Sequence, residues 1–137
     1  MVRRVCYHTK NGRRDPDGPI FDNGSSLFPN LIDVNEMQLV VSSEEETNKR
    51  VFLFPTSQVR LNGRKSSYYE VIDSLEFEEC NNALLRVYNK IDLAKIENVI
   101  NDTPLISGIQ KSFYLHMVKA RYEKILKASY VKLLERG

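Results

Sequence analysis

A mainly α-helical fold with a short β/turn element near the N-terminus is predicted by three observations in the 137-residue sequence. Capping residues recur: Asp33, Ser43, Ser67, Asp92 and Ser107 each precede a run with helical spacing. From Ser66 to the C-terminus that spacing is almost unbroken. Turn dipeptides, by contrast, gather at the front, in Asn11-Gly12, Asp15-Pro16-Asp17-Gly18 and Asn23-Gly24. A chain of this length predicts one domain, burying roughly two-thirds of the surface its unfolded form exposes. Within 1–137 the pattern divides into a loop-like segment 1–18, a segment 19–65 of turns and short helices, and a helical bundle 66–137.

The first eighteen residues show no period and carry much charge. The stretch Pro19 to Leu31 is denser. Ile20 and Phe21 are β-formers, Asn23-Gly24 supplies a turn, and Phe28-Pro29 closes the segment. Asp22 at such a turn can ligate a metal or can stabilise the turn through its own backbone, and local chemistry alone favours the second role. Asp33 then caps a short helix through Glu36, Met37, Leu39, Val40 and Val41, with Ser42 or Ser43 ending it or capping the next. Glu44, Glu45 and Glu46 suit a helix N-terminus, and Lys49 and Arg50 its C-terminal end. Val51-Phe52-Leu53-Phe54 reads as β-prone, stopped by Pro55. Gln58 to Leu61, Asn62-Gly63 and Arg64 onward predict a small hairpin.

Ser67 with Glu70 has capping-box spacing, and Tyr68, Val71, Ile72 and Leu75 fall at helical intervals. A second helix is expected from about Glu76 to Asn89, with Cys80, Ala83, Leu84, Val87 and Tyr88 on one face; Cys80 there is a small core hydrophobe rather than a nucleophile. Asp92 caps a third, carrying Leu93, Ile96, Val99 and Ile100, which Thr103-Pro104 ends. Ser107 with Gln110 opens the last helix, expected to reach about Glu135. At 100° per residue Ser112, His116, Lys119, Glu123 and Lys127 form a polar stripe, opposite Tyr114, Leu115, Val118, Tyr122, Ile125 and Leu126, while Phe113 and Met117 extend the apolar surface. That width marks a central core helix, and His116 on the polar stripe is expected to be solvated.

An apolar share of 42% with 28% charged residues is that of an ordinary soluble protein, and no 18-residue apolar run exists to span a bilayer. Two cysteines without metal spacing, and no apolar run behind the basic N-terminus, lead to the expectation of a reduced, cytoplasmic location. A net charge of +2 does not argue for nucleic acid, although Arg60, Arg64 and Lys65 flank Asn62-Gly63 as a local basic cluster. Phosphate-loop, dinucleotide, zinc-protease and nucleophile-elbow motifs are absent, so no self-contained nucleotide site is expected.

The stretch Ile20-Phe21-Asp22-Asn23-Gly24-Ser25-Ser26-Leu27 resembles the metal-binding Asp-x-Gly segment of the HipA-type serine/threonine kinases, toxins of bacterial toxin-antitoxin systems. The stretches Asn48 to Val51, Phe54 to Ser57, Tyr68 to Glu70, Asp102 to Ser107 and Arg121 to Leu126 are similar to the helical C-terminal portion of the same family. The resemblance implies the helical C-lobe of a kinase-like fold. In that family the Asp holds magnesium on ATP, and a loop Asp-Arg-His-x-x-Asn supplies a catalytic base and a second metal ligand. It therefore implies Asp22 and Asn11 as metal ligands, His8-x-x-Asn11 being the matching part of the loop. Cys6 stands where the base belongs and Tyr7 replaces the Arg, so no catalytic residue is assigned.

Nothing before Asp22 is long enough to form an ATP-holding lobe. The expectation is thus a truncated C-lobe without phosphoryl transfer of its own, using Mg and ATP only within a complete protein and no cofactor alone. Its partner would be an N-lobe polypeptide or an antitoxin-like protein, with no membrane. The competing reading is a helical interaction module that binds a protein or nucleic acid and performs no chemistry.

Overall fold

A computed structural model describes Thr9–Lys10, Arg13–Arg14, Phe28, Leu31 and residues 33–53 and 56–136. The described residues are mainly helical, as the caps and periods predict. Two short strands, β1 (Thr9–Lys10) and β2 (Arg13–Arg14), pair antiparallel with Thr9 opposite Arg14, so part of the segment expected to be loop-like is paired. The helix α1 (Val34–Ser42) starts where Asp33 accepts from the backbone of Asn35 and Glu36, and α2 (Glu44–Asn48) where Ser43 accepts from Glu46. Three glutamates in the first turn of α2 lie at the positive end of its dipole.

Lys49–Leu53 corrects the sequence reading, because its Val-Phe-Leu run is π-helical and continues α2 instead of forming a strand. Short apolar runs fit a strand or a buried helical turn equally well, and here burial of Val51 in the core decides. A hairpin follows, with β3 (Thr56–Leu61) antiparallel to β4 (Arg64–Ser67). Asn62 and Gly63, with φ of 52° and 78°, give the turn the left-handed backbone that a two-residue hairpin requires.

The helices α3 (Tyr68–Ser74) and α6 (Gly108–Arg121) open on the expected capping boxes, Ser67 with Glu70 and Ser107 with Gln110. Between them lie α4 (Glu78–Tyr88) and α5 (Leu93–Asp102), the latter capped by Asp92. Past Arg121 the chain stays helical through a π-helical stretch, Tyr122–Lys127, into α7 (Ala128–Arg136), making one continuous rod over 108–136. Lys132 ties α7 to α3 through Asp73 at 3.0 Å, and the carbonyl of Leu75 accepts from Asn81 and Arg136 at 2.9 Å each.

The core is Met37, Val40, Val51, Phe113, Met117 and Ile125. Phe113 and Met117, which the helical wheel places at the margin of the apolar face, are 0% exposed, whereas Leu115 and Val118 are only half-buried. The wheel misses this because the rod is packed from two sides, by α1 and by α5, so its buried line is set by neighbours and not by its own moment. Replacing Phe113 by Ala is expected to cost about 3–5 kcal/mol in urea unfolding, and Leu115→Ala less than half as much. The reverse order would restore the wheel's choice of face.

Candidate functional site

The candidate ligands Asp22 and Asn11, with His8 and Cys6, lie outside the described residues. The first described residue after Asp22 is Phe28, whose ring lies 6.2 Å from that of Phe113 in edge-on contact and 4.9 Å beneath the Arg121 guanidinium carbon. Its carbonyl accepts from Leu31 at 3.0 Å, and its φ is 55°. Burial pushes the Arg121 pKa down. These contacts fasten the chain that follows Asp-x-Gly onto the rod at the core's most buried ring. The sequence signal for this is only the Phe-Pro dipeptide; Arg121 as its partner is a tertiary contact no local pattern encodes.

Between the α1–α2 corner and the rod runs a groove of about 460 Å³, lined among others by Ser42, Glu44, Thr47, His116, Lys119 and Lys124. His116 is not the solvated residue expected of the polar stripe, because its Nε2 lies 2.8 Å from Thr47 Oγ1. Thr47 Oγ1 is also 2.7 Å from the carbonyl of Val40 and 3.0 Å from that of Ser43. Where the hydroxyl's single proton goes to one of those carbonyls, the matching His116 tautomer carries its hydrogen on Nε2 and donates to Thr47. Lys124 closes the groove's rim with contacts of 2.5 Å to Asn48 and 3.3 Å to Glu44. Thr47, 3% exposed, was invisible to pattern reading, since its partner is 69 residues away in sequence.

The basic cluster sits on the hairpin. Arg60, Arg64 and Lys65 are exposed, Arg60 donates to the Gly63 carbonyl at 2.8 Å, and none of the three has an ion-pair partner among the described residues. Cys80 lines an apolar cavity of about 200 Å³ with Ile72, Ala83, Leu84 and Leu126, and burial pushes its thiol pKa up, against a nucleophilic role. Among the described residues no three His, Cys, Asp or Glu gather as a metal site, and no helix is long and apolar enough to cross a membrane.

Burial first, and the Lys124 ammonium second, hold His116 below its ordinary pKa of 6.5. The folded chain therefore binds this proton less well than the unfolded one. Its contribution to stability is complete above pH 6.5 and is lost as the pH falls through the folded value. Urea midpoints at pH 7.5 and 5.5 should differ by less in His116→Gln, which keeps a donor toward Thr47, than in the native chain. An unchanged difference would place the pH dependence elsewhere.

No protein-family model matches the chain. It is 36% identical over 126 residues, 91% of its length, to the serine/threonine-protein kinase CtkA of Helicobacter pylori, and spans 38% of that protein. The crystal structure of the H. pylori proinflammatory kinase CtkA superposes with a TM-score of 0.80 at 36% identity, over 87% of this chain and 40% of that one. The chain is homologous to a part of this serine/threonine kinase and shares that part's mainly helical fold.

Proposed function

We propose that the chain provides the helical C-lobe of a HipA-like serine/threonine kinase and transfers no phosphoryl group by itself. The observation that carries this reading is the combination of 36% identity with a TM-score of 0.80 against a kinase of which the chain spans 40%. Asp22 and Asn11 offer oxygen donors, a hard set suited to magnesium. In a complete protein they would hold the metal that neutralises charge on the ATP phosphates. The role of the remaining residues is positional. Phe28, against the Phe113 ring and under the Arg121 guanidinium, anchors its own point of the chain on the rod, and the Thr47 to His116 bond ties α2 to the rod.

Two sequence features support the lack of independent activity: Cys6 in place of the base, and no glycine-rich phosphate loop within the 137 residues. The partner on this reading is an N-lobe polypeptide or an antitoxin-like protein. The chain alone should bind no Mg-ATP in calorimetry and incorporate no label from γ-labelled ATP. Mixed with a polypeptide comprising the remainder of CtkA, it should gain Mg-dependent nucleotide binding that Asp22→Ala weakens at least tenfold. Phosphoryl transfer by the isolated chain would refute inactivity, and a mixture indifferent to Asp22→Ala would refute the ligand assignment.

A further inference from the structure

The hairpin carries charge in an arrangement that its own packing does not explain. Between Arg50 and Glu70 the sequence has no Asp or Glu, so its three cations are uncompensated along nineteen residues, 51–69, in a chain whose net charge is only +2. Arg60 and Lys65 are direct cross-strand partners, a pairing of like charges that destabilises a ribbon. Arg64, opposite Leu61, presents a third cation at the same tip, from the other face of the ribbon. The Asn62-Gly63 turn and the Arg60 to Gly63 hydrogen bond hold the tip in one shape, so the repulsion is not relieved by splaying. No carboxylate among the described residues comes within ion-pair distance of any of the three. An external anion would remove the repulsion.

The second observation narrows the anion. Tyr68, the first residue of α3, directly follows β4, is 54% exposed, and stacks on no ring among the described residues. It lies three residues, or about 10 Å of extended chain, from Lys65. Exposed cations with an exposed ring three residues further along the chain are the two kinds of group a single-strand site uses, phosphates meeting the charges and a base stacking on the ring. A duplex keeps its bases stacked on one another and has no use for Tyr68.

We infer that the β3–β4 hairpin, with Arg60, Arg64 and Lys65 on phosphates and Tyr68 beneath a base, binds single-stranded nucleic acid. The site is independent of Asp22 and of nucleotide chemistry. The test is fluorescence anisotropy of a labelled ten-nucleotide single strand, as DNA and as RNA, with the 137-residue chain across a salt series. Three phosphate contacts predict a slope of log affinity on log salt of about −2. Arg60→Gln, Arg64→Gln and Lys65→Gln together should flatten that slope and lower affinity at least tenfold. Tyr68→Ala should lower affinity about tenfold with the slope unchanged. The comparator Lys90→Gln with Lys95→Gln, also exposed cations, should change neither. Equal affinity for the duplex or for poly-glutamate, binding that survives the triple substitution, or no binding at low salt would each overturn the inference. A preference between DNA and RNA identifies which single strand is the ligand.

Discussion

Burial of Phe113 and Met117 beneath Met37 and Val40, all at or below 1% exposure, fixes where the other elements can sit. Each such side chain withdrawn from water contributes roughly 1.5–3 kcal/mol, at or above the ~1 kcal/mol of a typical cap and more than a surface ion pair. Because this contact joins α1 to the rod, it brings two segments far apart in sequence into one core. Everything near the groove inherits that juxtaposition. Thr47 meets His116 only because α2 turns off α1 at Ser43 while α1 lies on the rod, and Lys124 reaches Asn48 and Glu44 for the same reason.

The caps were legible in the sequence because each is a local bond between a side chain and a backbone two or three residues away. Asp33, Ser43, Ser67, Asp92 and Ser107 all cap as their positions indicate. Asn62-Gly63 was legible for a similar reason, since few other dipeptides supply two consecutive positive φ angles. What sequence could not supply was the outcome of competition between neighbours. Val51 to Leu53 became π-helical on burial, the rod's core line moved from Leu115 to Phe113, and His116 acquired a partner. Asp22 and Asn11 belong to neither class. Their assignment rests on a motif resemblance, and the homology to CtkA now gives that resemblance a kinase context without locating the two side chains.

Polar burial in this fold is selective. Ser129 at 0% exposure and Thr47 at 3% sit where helices meet, and each hydroxyl finds an acceptor, Asp73 for the first and a backbone carbonyl for the second. Among the described residues no buried side-chain nitrogen or oxygen lacks a hydrogen-bond partner. Hydroxyls of this kind contribute little to the strength of packing, but they penalise any other helix register by leaving a polar atom dry. The helical array is therefore specified in register as well as in composition.

The π-helical stretch Tyr122–Lys127 gives that register a geometric counterpart. A π turn holds one residue more than a turn of the α-helical hydrogen-bond ladder, so it shifts the phase of the helix that follows without breaking it. Deleting one residue there would turn α7 by about 100° about its axis, because each α-helical residue advances by that angle. Ser129 and Lys132 would then swing away from Asp73, and Arg136 from the Leu75 carbonyl. Helix length along this rod is thus a phase setting, with the C-terminal segment docked correctly at one residue count and misaligned at the next.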